Sequence, residues 1–286
     1  EWGLSYHCET CGFLEKGDLR TLKGAKLLWR VDWPMRWAYE KVDFEPAGKD
    51  HHSQGGSFDT SKHVVEEVYG RKPPVTFRYD FIGIKGSPGK MSSSKGKVVD
   101  LQDLLRVYQP EIVRYLFAGT RPNTEFVISF DLDVIKIYED YDRTERIYWG
   151  VEKAKNEEVE ALERRIYELS QVDRVPEEMP YQIPFRHLCN LLQIHLGNID
   201  AVLSLLPGLK PSQKAHVERR AQCAWYWITE CAPEDFRFFL RKPGELASLP
   251  EAEAAALRRL RDEVVEKLDT YATENDIAEA IYAAAQ

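Results

Sequence analysis

The sequence predicts an α/β region followed by an all-α region, on three observations. Runs rich in β-branched and aromatic residues flank a capped helix before residue 85, and this strand–helix–strand order is typical of an α/β sheet. After Asp100 the apolar residues recur at helical spacing instead. The 286 residues are 43% hydrophobic and 30% charged, as in globular proteins, and suffice for about two domains of roughly 150 residues each.

The N-terminal segment is expected to form short strands broken by turns. Leu4 to His7 reads as a strand, a polar turn is expected at Lys16-Gly17, and the apolar run from Ala25 to Val31 reads as a further strand. Residues 34–50 are expected to be irregular because prolines and a glycine interrupt them.

One helix and one strand complete the predicted α/β part. Asp59-Thr60-Ser61 offers an N-cap for a helix that runs to Tyr69, and Gly70 is its stop signal. Pro73-Pro74 then opens a strand from Val75 to Ile84.

The rest of the chain is predicted to be helical. Helical spacing covers Leu101 to Val107, Pro110 to Phe117 with proline in the first turn, and Leu132 to Trp149. Further amphipathic stretches continue towards Gln286, with a soft boundary between about 150 and 180.

The composition of the chain argues against several functional classes of protein. The net charge of −8 argues against a protein that coats nucleic acid, so any RNA contact is expected to use a local patch. No apolar run is long enough to span a bilayer and Glu1 does not open a signal peptide, so we expect a cytoplasmic protein without a membrane partner. Five cysteines, an odd number, do not suggest a disulfide framework.

The segment from Lys85 to Lys97 is the strongest chemical signal. It holds four lysines, three glycines and four serines in 13 positions, so it can present ammonium, hydroxyl and backbone N–H groups to a polyphosphate. It follows a predicted strand and precedes a predicted helix, where α/β sheets bind ligands. The alternative is a flexible, solvated surface loop.

Within this segment, Lys90-Met91-Ser92-Ser93-Ser94 resembles the Lys-Met-Ser-Lys-Ser loop of class I aminoacyl-tRNA synthetases. The stretches from Trp29 to Trp37, from Pro46 to His51, and Gly55-Gly56-Ser57 are similar to those of the class I lysyl enzyme. The resemblance implies the C-terminal part of a Rossmann-like catalytic domain over residues 29–150. It also implies the end of a zinc-knuckle-like insertion over 1–28 and a helical region that binds the tRNA anticodon stem over 151–286.

The resemblance also implies site residues. ATP with Mg²⁺, lysine and tRNA(Lys) are the expected ligands. Gly48 and Asp50 match adenosine-ribose contacts, and the ATP site continues through the loop residues Lys90, Met91, Ser92, Ser93, Ser94 and Lys95. The catalytic candidates are Lys90, Ser92, Ser94 and Lys95.

Trp29, His51 and Tyr79 match residues that shape the lysine pocket, where aromatic walls suit a methylene stem and an ammonium. Asp32 is a candidate countercharge, and its alternative is an ordinary ion pair with Arg30 or Arg36. For the tryptophans the alternative is core packing.

The sequence departs from the family pattern at two places. Ser93 stands where the second lysine of the loop is expected, and Lys95 is the candidate to supply that charge. No His-Ile-Gly-His-like motif precedes the loop, so we expect the N-terminal half of the catalytic domain to lie outside this chain. His195-Leu196-Gly197-Asn198 follows the loop and is interpreted as a helix end with glycine as stop signal.

Cys8 and Cys11 have the spacing of half a tetrahedral zinc site. His7 is a possible third ligand, partner ligands outside this chain fit the family pattern, and two free reduced thiols are the alternative. The resemblance implies a lysine–tRNA ligase, and we expect this chain alone to be inactive. Its rival is a split or decayed synthetase module that binds tRNA or lysine without catalysis.

Overall fold

A computed structural model of the chain describes residues 2–24, 26–87, 99–240 and 249–285. The chain divides into two compact units, Glu1–Phe238 and Phe239–Gln286. The described residues form the following strands and α-helices: β1 Gly3–His7, β2 Leu14–Asp18, α1 Trp29–Glu40, β3 Ala47–Gly48, α2 Ser57–Tyr69, β4 Arg78–Tyr79, β5 Ile82–Ile84, α3 Leu101–Val107, α4 Pro110–Ala118, β6 Phe126–Ile128, α5 Asp133–Tyr148, α6 Glu157–Ser170, α7 Phe185–Ile194, α8 Ile199–Ser204, α9 Pro211–Tyr226, α10 Glu251–Glu263 and α11 Glu274–Ala285. A π-helical turn extends α9 over Trp227–Cys231, and 3-10 turns cover Glu234–Phe236 and Val265–Thr270.

The strands of the described residues form three separate pairs. β1 and β2 make an antiparallel hairpin, in which Lys16 and Gly17 lie within β2 and the turn falls at residues 8–13. The turn predicted at Lys16-Gly17 is therefore wrong. The pairs β3–β4 and β5–β6 are parallel.

The largest error of the sequence prediction concerns helix α1. The run ending at Val31 was expected to be a strand and residues 34–50 to be irregular, but α1 begins at Trp29 and continues to Glu40. Proline costs this helix one backbone hydrogen bond at Pro34. Trp29, Trp33 and Trp37 lie on one face, and burial of Trp33 and Trp37 stabilises the helix despite the proline.

The strand predicted from Val75 to Ile84 is divided between two pairs. Val75 forms a parallel bridge with Phe44, and β4 continues this pairing beside β3. β5 pairs instead with β6, and 42 positions separate Ile84 at the end of β5 from Phe126 at the start of β6. The N-cap of helix α2 is Gly56, three residues before the predicted cap at Asp59, and the helix ends at Tyr69 with Gly70 as its C-cap, as predicted.

Two apolar clusters form the core of the first unit in the part of the chain that the structure describes. The smaller consists of Trp33, Trp37, Ala47, Phe58 and Val65, and it joins α1 and α2 to β3. The larger cluster joins α3 to α9 and includes the partly buried side chains of β5 and β6. Burial of apolar side chains of this size is the main stabilising term of such a core.

A buried ion pair crosses the larger cluster. Arg220 on α9 donates to both carboxylate oxygens of Asp142 on α5, at 2.8 and 2.6 Å. Glu145, one turn further along α5, accepts hydrogen bonds at 2.8 Å from the Tyr167 hydroxyl and from the Gln182 amide. These bonds fix α5 against α6, α9 and the segment that precedes α7.

In the second unit, α10 packs against α11, and Val264 and Ala284 are its buried apolar side chains among the described residues. Across the parts of the chain that the structure describes, no helix has the length and apolar character needed to cross a membrane.

Candidate functional site

The carboxyl edge of the β3–β4 pair brings together four of the predicted site residues. Gly48 is paired with Tyr79, and the chain then turns so that the His51 amide donates to the Gly48 carbonyl at 3.0 Å. A Cβ added to Gly48 would lie 2.9 Å from Oδ1 of Asp50 and 3.6 Å from Cε2 of Tyr79. It would lie 3.8 Å from Cδ2 of His51. The absence of a side chain at Gly48 therefore leaves room for Asp50.

An aromatic series continues from His51 to the surface. The His51 ring meets Trp33 edge-on at 5.5 Å, and Trp33 stacks on Trp29 at 5.0 Å. Trp33 is buried, whereas Trp29 is 46% exposed and Tyr79 is 44% exposed. The core-packing alternative is thus correct for Trp33 and Trp37, and Trp29 presents half of its surface beside the site.

Asp32 lies on α1 with a partner of its own. Nε of Arg36 donates to its carboxylate at 2.8 Å, and the Asp32 side chain is mostly buried. Arg30 instead donates to the Gly55 carbonyl at 3.0 Å. Of the two partners expected for Asp32, the structure pairs it with Arg36.

His52 is a site residue that the sequence interpretation missed. Its Nδ1 lies 3.2 Å from the Gly48 carbonyl oxygen and its Nε2 lies 3.1 Å from the Thr76 hydroxyl. Because a carbonyl only accepts, Nδ1 carries the proton of that bond. The ring also stacks on Phe58 at 4.7 Å, so His52 holds the Gly48 turn against α2. The paired histidines after Asp50 were the available signal.

The Lys/Ser/Gly-rich loop lies mostly outside the described residues. Nothing is described for Lys90, Met91, Ser92, Ser93, Ser94 or Lys95, so their predicted roles stay predictions. The first residue of the segment is held by two carboxylates: Nζ of Lys85 lies 2.9 Å from Asp131 and 2.5 Å from Asp133.

Asp131 is itself held in place by its neighbours. A hydrogen bond from the Ser129 hydroxyl, with further bonds from the Asp133 amide and Lys85, lowers the pKa of Asp131 to about 2. The carboxylate therefore stays ionised at neutral pH, and the end of β5 is anchored to the start of α5.

Cys8 and Cys11 lie in the turn of the N-terminal hairpin. The Gly12 amide donates to the Cys8 carbonyl at 2.8 Å, and hydrogen bonds from Cys11 and Thr10 lower the pKa of the Cys8 thiol. Two thiolates are half of a tetrahedral zinc site. Among the described residues no group of three His, Cys, Asp or Glu side chains could hold a metal ion, so the zinc half-site remains a prediction.

The His195–Asn198 segment is a helix end, in agreement with its sequence interpretation. α7 ends at Ile194, and Gly197 adopts a positive φ of 80° while its amide donates to the Leu192 carbonyl at 2.8 Å. A Cβ at Gly197 would lie 2.5 Å from the Trp225 ring, so this glycine is required by the turn and by packing.

Comparison with known proteins places this chain in a family. Residues 1–173 match the family model described as "tRNA synthetases class I (K)", where K denotes lysine. The chain belongs to the class I lysyl-tRNA synthetase family. The resemblance drawn from the loop and the site residues is thereby confirmed.

Curated relatives of this synthetase chain agree with the family model. It is 55% identical to a lysine–tRNA ligase of Treponema pallidum over 286 residues, which is 100% of this chain and 54% of the relative. It is 54% identical to one from Borreliella burgdorferi, over 98% of this chain and 53% of the relative. A lysine–tRNA ligase of Thermococcus kodakarensis is 43% identical over 90% of this chain and 50% of the relative. The synthetase chain thus spans about half the length of these relatives.

Proposed function

We propose that this chain supplies the lysine pocket, the ribose contacts and the tRNA-docking helices of a lysine–tRNA ligase. The observation that carries the proposal is the convergence of Asp50, His51 and Tyr79 around Gly48 at the carboxyl edge of a parallel strand pair. This edge is where α/β sheets bind nucleotides and their co-substrates. Family membership and the names of the relatives support the same proposal.

The proposed lysine pocket is bounded by Trp29, His51 and Tyr79. Two half-exposed aromatic faces suit the methylene stem of lysine, and their π-electrons attract its ammonium. Asp32 is the proposed countercharge. Since Arg36 already pairs with it at 2.8 Å, the lysine ammonium would share this carboxylate.

The proposed ribose contacts are Gly48 and Asp50. A sugar can approach the backbone at Gly48 because no side chain projects there. A carboxylate accepts hydrogen bonds, so Asp50 suits the two sugar hydroxyls. The His52 ring, bonded to the Gly48 carbonyl, keeps this turn in one conformation.

In the proposed reaction the lysine carboxylate attacks the α-phosphate of ATP, which forms lysyl-adenylate and releases pyrophosphate. A hydroxyl of the terminal ribose of tRNA(Lys) then attacks the lysyl carbonyl of the adenylate, which forms the lysyl ester and releases AMP. Lys90 and Lys95, with Ser92 and Ser94, are the proposed partners of the departing pyrophosphate, and Mg²⁺ accompanies ATP. Catalysis of the first step is positioning and charge stabilisation. The anchored Lys85 fixes where the loop begins.

The helices that follow α5 are the proposed tRNA-docking region. We propose the division expected from the sequence, with a Rossmann-like part over 29–150 and the anticodon-stem region over 151–286. A net charge of −8 for the chain favours docking through a local patch rather than through the whole surface.

The test uses a family-length fusion, in which this chain is joined to the part of the Treponema pallidum relative that the match leaves out. We expect lysine-dependent ATP–pyrophosphate exchange in the presence of tRNA(Lys), and charging of that tRNA with lysine. Tyr79→Ala should weaken the response to lysine. Tyr69→Ala is the matched control, since Tyr69 on α2 is 39% exposed and Tyr79 is 44% exposed.

The rival function, binding of tRNA or lysine without catalysis, is not favoured by relatives that are themselves lysine–tRNA ligases. A folded fusion that binds lysine and tRNA(Lys) but forms no lysyl-adenylate would support the rival and contradict the proposal.

A further inference from the structure

Lys49 lies between the two proposed ribose contacts, and its side chain reaches across to the neighbouring strand. Nζ of Lys49 lies 2.5 Å from Oδ1 of Asp80, the residue that follows Tyr79. Glu125 is a second, more distant carboxylate at 3.4 Å. The ammonium also lies 4.6 Å from the centre of the Phe81 ring, within the range of a cation–π contact.

The carboxylate that receives Lys49 is preorganised. Oδ1 of Asp80 also accepts a hydrogen bond of 2.7 Å from the Phe81 amide, and the Asp80 amide donates to the Pro122 carbonyl at 2.8 Å. The pairing raises the pKa of the Lys49 ammonium and lowers the pKa of the Asp80 carboxyl, so both are charged at neutral pH.

The backbone pairing of β3 and β4 ends next to Lys49. Its last bond runs 2.9 Å from the Lys49 amide to the Tyr79 carbonyl, whereas the Asp80 amide donates to the Pro122 carbonyl. The Lys49–Asp80 ion pair is a side-chain link between the two turns, next to the bond between His52 and the Thr76 hydroxyl that precedes β4. One turn carries Gly48 and Asp50, and the other begins at Tyr79.

We propose that the Lys49–Asp80 ion pair is a positioning pair that fixes the lysine-pocket wall at Tyr79 relative to the ribose contacts at Gly48 and Asp50. This inference rests on the proposed function of the same site. Neither Lys49 nor Asp80 contacts a substrate in this proposal, and both act through their neighbours in the chain.

The pair is partly exposed, with side-chain exposures of 34% for Lys49 and 18% for Asp80. Partly exposed ion pairs contribute little to stability. Displacement of a substrate-positioning group by about 1 Å, in contrast, can lower a rate by about 10²-fold. Loss of the pair should therefore change kinetics far more than it changes the unfolding temperature.

The test is a double-mutant cycle in the family-length fusion, with Lys49→Met, Asp80→Asn and the two together. We expect each single variant to lower kcat/KM for lysine by about tenfold or more, mainly through KM, and the double variant to lose no more than the worse single variant. Lys49→Arg should recover most of the loss because it restores the positive charge. Lys62→Met, which removes an exposed pair with Asp59 on α2, is the matched control and should behave as the parent does.

Three outcomes would overturn the proposal. The losses of the two single variants could add in the double variant, or both singles could match the parent. A loss confined to Lys49→Met, with Asp80→Asn unaffected, would make Lys49 a direct substrate contact. Thermal unfolding of each variant separates kinetic loss from misfolding. A parent fusion without lysine-dependent exchange would instead refute the proposed function itself.

Discussion

Replacing Glu145 by glutamine should remove a pH dependence from the free energy of unfolding of this chain. Glu145 is 1% exposed and accepts hydrogen bonds from Tyr167 and Gln182, both uncharged. The nearby guanidinium of Arg220 is already paired with Asp142. Burial therefore dominates and raises the pKa of Glu145 from 4.5 to about 7.

The sign and size of the effect follow from proton linkage. Between pH 4.5 and about 7 the folded chain holds the Glu145 proton and the unfolded chain releases it, so this group's contribution to stability falls as pH rises through that window. At about 1.4 kcal/mol per pH unit, the contribution lost by pH 8 is about 3 kcal/mol. Glutamine imitates the neutral acid and keeps a hydrogen bond to each neighbour, so it loses nothing over the same range.

The assay is urea unfolding of parent and variant at pH 5 and pH 8. We expect the two to be nearly equal at pH 5, and Glu145→Gln to be more stable at pH 8 by up to about 3 kcal/mol. Glu168→Gln is the matched control, because Glu168 is an exposed α6 carboxylate paired with Arg165 at 2.9 Å. Equal pH dependence in the parent and in Glu145→Gln would refute the reasoning, since the buried carboxyl would then titrate as an ordinary one.

Three further predictions concern chemistry. The 286-residue chain alone should show no lysine-dependent ATP–pyrophosphate exchange, and detectable exchange would overturn the expectation that it holds only part of the nucleotide site. Elemental analysis should find well under one tightly held zinc per chain if Cys8 and Cys11 are half a site, whereas stoichiometric zinc would require another ligand nearby. In the family-length fusion, Lys95→Ala should slow adenylate formation by roughly 10²-fold, the size typical of one lost electrostatic contact. Near-normal exchange in Lys95→Ala, with exchange abolished in Lys90→Ala, would show that Lys95 does not replace the lysine missing at Ser93.

Local signals predicted part of the fold correctly. Asp100 caps α3 through a capping box, and Pro110 opens α4, so both helices lie where the sequence placed them. α1 was missed because a short apolar run does not distinguish a strand from a buried helix, and Pro34 suggested a break. The helical spacing of Trp29, Trp33 and Trp37 was the sequence signal that favoured a helix over a break at Pro34.

In the candidate site, too, local sequence patterns predict some features and leave out the long-range contacts. Asp50, His51 and Tyr79, which were taken from the family resemblance, lie near Gly48, and their roles in binding stay predictions. The Lys49–Asp80 pair joins residues 31 positions apart, and Asp142–Arg220 joins residues 78 apart. No local pattern specifies such partners, because they depend on which strands and helices meet in space.

The most direct test of the site is the KM for ATP and for lysine, measured by pyrophosphate exchange with tRNA(Lys) present, in two variants of the family-length fusion. In Gly48→Ala the new Cβ would lie 2.9 Å from Oδ1 of Asp50 and would displace that carboxylate. We expect this variant to raise the KM for ATP by about tenfold and to leave the KM for lysine nearly unchanged. Tyr79→Ala should do the reverse. If the two variants raise both constants equally, or if neither variant changes either constant, the assignment of the ribose of ATP to Gly48 and of lysine to Tyr79 is contradicted.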